Sequence, residues 1–153
     1  MPAERLLDLT IRVAEMNDAA ALAQLMCELG YQTTESEMQM RLERIANDDR
    51  YRTFVAAHDG EVCGMIGTLI SLSYEHNDLG GRILALVTLR TMRRRGIGRA
   101  LIATAEKDFA QRGIRRLALN TRLARGDAHK FYESLGYERN GFRFTKDLST
   151  VGA

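Results

Sequence analysis

The chain has 153 residues, 45% of them hydrophobic, a size and composition that suit one domain around one core. Its 22 basic and 20 acidic residues leave a net charge of only +2, which argues against a nucleic-acid-binding protein. Two cysteines are too few for a disulfide framework, and no apolar run reaches the roughly 18 residues of a membrane span.

The first residues, Met-Pro-Ala-Glu-Arg, show no leader pattern, so a cytoplasmic protein is expected. Residues 7–13 read as a strand. Asn17 and Asp18 are placed to cap a helix whose apolar face is Leu22, Leu25, Met26 and Leu29, with Gly30 at its end. Thr34 and Glu37 have capping-box spacing and open a second helix bearing Met38, Leu42 and Ile45. Residues 51–58 and 62–72 read as strands joined by the turn signal Asp59-Gly60. Cys27 and Cys63 fall in apolar patterns that suit buried thiols.

A polar segment, 73–81, precedes a near-continuous apolar run at 83–89, the pattern of a strand buried on both faces. Gly96 and Gly98 break that pattern. Ile97, Leu101, Ile102, Ala105 and Phe109 then follow helical spacing, and Gly113 closes the helix. Residues 116–121 read as another strand. Asp127 can cap a short helix with Phe131, Tyr132 and Leu135. A strand from Gly136-Tyr137, the turn signal Asn140-Gly141 and a strand at 142–148 complete the chain. The order is β-α-α-β-β-β-α-β-α-β-β, that of an α/β domain with a mixed sheet flanked by helices.

The strand, glycine turn and helix at 84–101 carry the chemistry. A helix start offers unpaired backbone N–H groups and the positive end of a dipole, and glycines admit a ligand close to the backbone. Arg93, Arg94, Arg95 and Arg99 add full charges. The combination suits a phosphate-bearing anion. A P-loop sequence is absent, and Leu101 stands where a dinucleotide fingerprint needs its third glycine. The histidines His58, His76 and His129 show no zinc spacing, so no metal site is expected.

The pattern Arg93-x-x-Gly96-x-Gly98 resembles the acetyl-CoA pyrophosphate loop of the GCN5-related N-acetyltransferase (GNAT) superfamily. Ala128-His129-Lys130-Phe131-Tyr132, running on to Gly136-Tyr137, is similar to the family's C-terminal helix motif. The element order matches over nearly the whole chain, as one domain spanning 1–153. The resemblance implies an enzyme that moves acetyl from acetyl-CoA to a primary amine of a small molecule or protein, by direct attack in a ternary complex. It implies pantetheine on the backbone of Leu86, Val87, Thr88 and Leu89. The pyrophosphate would lie on the N–H groups around Arg94, Arg95, Gly96, Ile97, Gly98 and Arg99. Tyr132 matches the tyrosine that protonates the departing thiolate.

An alkyl amine with a pKa near 10.4 costs roughly 4–5 kcal/mol to present neutral at pH 7, so a proton acceptor is needed. Many relatives carry a glutamate where this chain has Leu84. Glu75 on the polar segment, with His76 and Asp78, is the carboxylate assigned here instead, and Glu28 and Tyr31 are expected to line the acceptor pocket. The family often has asparagine where this chain has Arg125; Asn120 is the nearby residue offered for that CoA contact. The absent glutamate also leaves open a non-catalytic acyl-CoA-binding module on the same fold. A homodimer is compatible with the family.

Overall fold

A computed structural model describes residues 8–120 and 126–149. The contacts divide the chain into two compact units, one ending at Leu119 and the other beginning at Asn120.

The first unit is built on a five-stranded sheet in the order β1-β2-β3-β4-β5. These are Leu9–Val13, Tyr51–His58, Glu61–Ser71, Gly80–Thr88 and Leu117–Leu119. The first four are antiparallel neighbours, and β5 joins β4 in parallel. Asp59 and Gly60 both take positive φ, 52° and 80°, as the primed hairpin turn between β2 and β3 requires. The strand pair at 51–71 therefore forms where the sequence places it.

One face of the sheet carries α1 (Ala19–Leu29) and α2 (Glu35–Ala46). Leu22, Leu25, Met38 and Leu42 pack there with Val55, Met65 and Val87. Those three strand residues stand side by side in register across β2, β3 and β4, so one row of the pleat forms the floor of this core. The capping box of α2 is present: Thr34 Oγ1 accepts from the Glu37 N–H at 3.1 Å, and Glu37 accepts from the Thr34 N–H at 3.0 Å. Gly30 ends α1 at φ 113°. The expected cap at Asp18 is different. Its carboxylate makes no cap bond to the helix; it accepts from both Arg12 guanidinium nitrogens at 2.8 and 2.9 Å and from the Glu15 N–H at 2.7 Å. The pair, buried at Asp18, holds the end of β1 to the 3-10 turn Met16–Asp18, and the Arg12 bond keeps the Asp18 carboxyl below its ordinary pKa.

The long helix α3 (Ile97–Gln111) covers the opposite face with Ile97, Leu101, Ile102, Ala105 and Phe109, all fully buried. Two strand glycines let it lie flush. A Cβ on Gly64 would stand 2.9 Å from Ile97 Cγ2 and 3.2 Å from the Val87 carbonyl oxygen. A Cβ on Gly81 would stand 2.6 Å from Leu117 Cδ2 and 2.8 Å from the Phe109 ring. Further along, Asp108 pairs with Arg52 of β2 and with Arg112, which fixes the end of α3 over the sheet. Cys27 and Cys63 are free thiols; Cys63 is buried, which pushes its pKa up, and Cys27 is half-buried.

The second unit contains α4 (Gly126–Ser134). The side chain of Asp127, the expected cap, lies outside the described residues. The two strands expected after it are not formed: residues 137–149 contain no strand. Gly136 takes φ 92° and the Tyr137 N–H returns to the Tyr132 carbonyl at 3.1 Å, so the Gly-Tyr pair closes a helix rather than opening a strand. Phe142, Phe144 and Leu148 are exposed, and a hairpin with no buried face is marginal in water.

Gly81→Ala is expected to destabilise the fold by about 1–3 kcal/mol, the usual cost of overpacking a filled core. Gly67→Ala, whose methyl group would meet only Ala85 Cβ at 4.0 Å, changes stability by less than about 1 kcal/mol. Urea unfolding midpoints of the two variants check the contrast.

Candidate active site

The β4–β5 ladder is short. It pairs Gly81 with Leu117, Arg82 with Ala118 and Ile83 with Leu119, and stops. β4 continues to Thr88, paired on its other side to β3. Among the described residues, positions 84–88 therefore have a free backbone edge where β5 would have continued. A register shift falls at the same place. Gly67 faces Ala85 but the next residue, Thr68, faces Ile83, so Leu84 is the extra residue of a β-bulge. Leu84 is half exposed and carries no charge.

Beyond Leu89 the chain makes a 3-10 turn, Arg90–Met92, and then the glycine turn. Arg94 takes φ 63° and Gly96 takes φ 82°. Gly96 is the N-cap of α3 and gives no side-chain cap, and the first turn of α3 has no acidic residue. The amide groups of that turn are left to a ligand or to water. A Cβ on Gly96 would meet nothing within 4 Å, so the backbone angle, not crowding, is what calls for glycine there. Arg93, Arg94, Arg95 and Arg99 are exposed, and none has an acidic partner among the described residues. Ile97, the first helical residue, is buried and anchors the turn to the core.

Leu86, Val87, Thr88, Leu89, Arg93, Arg94, Arg95, Gly96, Ile97, Gly98 and Arg99 thus form one continuous stretch of backbone in the first unit, strand edge, turn and helix start, with the Val87 and Ile97 side chains turned into the core. Glu75 lies on the exposed segment between β3 and β4, with its N–H bonded to Ser73 Oγ at 3.0 Å. His76 uses the same oxygen, and Asp78 is taken by Arg116 at 2.8 Å, which lowers its pKa. Asn120 is exposed at the start of the second unit. Tyr132 is carried by α4, edge-on to Phe131 and Tyr137 with ring centroids 5.3 and 6.1 Å apart. Arg125 lies outside the described residues.

Glu28, at the last turn of α1, is more closely tied to this surface than its sequence position suggests. Its Oε1 accepts from the Arg90 N–H at 3.4 Å, and its Oε2 is buried without a partner. The sequence marks Glu28 for the acceptor pocket but not for this contact, which spans 62 residues. No cluster of His, Cys, Asp and Glu among the described residues could hold a metal ion, and no described helix is long and apolar enough to cross a membrane.

A strand with a free edge leading into a cationic helix start has the chemistry to suit an extended, phosphate-bearing ligand. Comparison with known proteins gives that site its class. The sequence profile of the Acetyltransferase (GNAT) family matches residues 18–137, and the chain belongs to that family. It is similar to the aminoalkylphosphonate N-acetyltransferase of Salmonella typhimurium, 36% identical over 141 residues that cover 80% of this chain and 92% of that protein. The protein is accordingly an acetyltransferase. Among solved structures it is similar to a GNAT family acetyltransferase of Staphylococcus aureus, at 28% identity and a TM-score of 0.78, covering 92% of this chain and 98% of that one. It also shares the fold of the aminoglycoside N-acetyltransferase AAC(6')-Iy, solved in complex with CoA. That likeness has 20% identity and a TM-score of 0.81, covering 95% of this chain and 97% of that one.

Gly96→Ala is expected to cost about 1 kcal/mol through its backbone angle alone. Arg94→Gly, which removes a Cβ from a left-handed position, leaves stability at or above that of the parent. Thermal midpoints of the two variants test the assignment of the turn.

Proposed function

We propose that the protein transfers the acetyl group of acetyl-CoA to the primary amine of a small molecule, with both substrates bound at once. The observation that carries this reading is the ladder that stops at Ile83 and Leu119. The free edge beyond it can pair with the amide groups of a pantetheine arm, as a sheet edge takes up an added strand. The pyrophosphate then meets the first-turn amides of α3 and the arginines around them.

The reaction needs little covalent chemistry from the protein. The neutral amine attacks the thioester carbonyl carbon, a C–N bond forms, and the C–S bond breaks. Holding the two substrates together supplies the larger part of the rate, and backbone N–H groups on the strand polarise the carbonyl. Tyr132 is the proton donor to the departing thiolate. A thiol pKa near 8.5 makes that thiolate a fair leaving group already, so the donor adds a modest factor. Among the carboxylates of the 72–79 segment, Asp78 is committed to Arg116, which supports Glu75 as the group that receives the amine proton through water.

The acceptor proposed first is an aminoalkylphosphonate, on the strength of the Salmonella relative; other small primary amines are second. Titration calorimetry with acetyl-CoA and a thiol-release assay over aminoalkylphosphonates, aminoglycosides, polyamines and lysine test the reading. Binding without turnover on any of them would refute it.

Gly96→Glu places a carboxylate at the pyrophosphate position and is expected to abolish acetyl-CoA binding; unchanged affinity by calorimetry would remove the turn from the site. Tyr132→Phe is expected to lower kcat by about a hundredfold, the low end for a general acid, and to leave acetyl-CoA affinity nearly unchanged. Steady-state kinetics beside calorimetry separate the two effects.

A further inference from the structure

Among the described residues of the first unit, Glu28 is the one carboxylate with a buried, unpartnered oxygen. Desolvating a carboxylate oxygen without a donor is unfavourable, and such atoms in a native fold call for an explanation. Its place in the fold supplies one. Along an extended chain, successive N–H groups point to opposite sides. The Leu89 N–H goes to the Cys63 carbonyl of β3 at 2.8 Å. The next N–H, that of Arg90, faces away from β3, and Glu28 Oε1 takes it at 3.4 Å. The carboxylate therefore stands at the end of the same free edge that positions 84–88 present. One oxygen is spent on closing that edge, and the other is left over.

We infer that Glu28 Oε2 is a binding group for the pantetheine arm, accepting a hydrogen bond from one of its N–H or O–H donors as the arm passes from the strand edge toward the α3 turn. The inference rests on the acetyl-CoA reading above and adds a side chain to a surface otherwise made of backbone. The oxygen is buried and has no partner within the protein, and the arm carries only neutral donors at this point. A charge-assisted bond of that kind neither alters the arm nor needs a proton to move.

The test compares acetyl-CoA with adenosine 3',5'-bisphosphate, a fragment that has phosphates but no arm. Calorimetry is run on the full chain as wild type, Glu28→Ala and Glu28→Gln. Glu28→Ala is expected to weaken acetyl-CoA by about tenfold, the worth of one hydrogen bond to a charged group, and to leave the fragment unchanged. Glu28→Gln keeps the shape but has a single acceptor oxygen, and loses about threefold on acetyl-CoA alone. Should Glu28→Ala fail to fold, the Gln variant decides by the same criterion. Equal losses on both ligands would assign Glu28 to the structure of the turn, and wild-type affinity in both variants would leave it without a role; either result overturns the inference. A wild-type protein that binds the fragment but not acetyl-CoA, or neither, refutes the acetyl-CoA reading itself, an outcome distinct from both.

Discussion

The close seating of α3 on β3 and β4 is the constraint on which the site depends. Gly64 and Gly81 remove side chains at two points along the helix, and Ile97, Leu101 and Phe109 fill the space. The helix axis is thereby fixed near both ends. Its first turn is held beside the end of β4 because Ile97, the residue that starts the helix, is itself part of the core. An anion site made of backbone amides has no side chain to adjust. Its geometry is only as good as the packing behind it, and here that packing is apolar and close.

The sheet makes the opposite provision. A parallel strand that follows a crossover helix would ordinarily continue alongside its neighbour, yet β5 pairs with only three residues of β4. The bulge at Leu84 falls one residue beyond the last pair, where the twist of β4 increases and a straight partner would lose contact. Rigid helix seating and an interrupted ladder together leave a row of unused hydrogen-bonding groups leading to a row of unused positive charge. Two irregularities that would be faults in a purely structural sheet thus lie side by side in the fold of an acetyltransferase.

Much of this was legible in the sequence because it is local. Thr34 and Glu37 are three residues apart, Asp59 and Gly60 are adjacent, and Gly96 directly precedes the helix it caps; each is written as a short pattern and each forms. The glycine turn before α3 was likewise readable as a turn: Gly96 takes φ 82° and caps the helix. What the sequence hid is non-local. Asp18 reads as a helix cap, but Arg12 lies on the strand before it and an ion pair outcompetes the amides. Glu28 meets a backbone group 62 residues away, and no pattern encodes that. Gly136 and Tyr137 carry both a helix-closing and a strand-opening signal, and the αL conformation of Gly136 selects the first. The bulge, too, depends on the register of two strands rather than on either one alone.

Leu84 gives the bulge a bearing on how such an enzyme changes. Its side chain is half out of the core, on a residue with no partner in the ladder, so its identity is decoupled from the packing on either face of the sheet. Position 84 can thus take a polar or charged side chain at little cost to the fold, so the chemistry of that stretch of strand is free of the demands of the core.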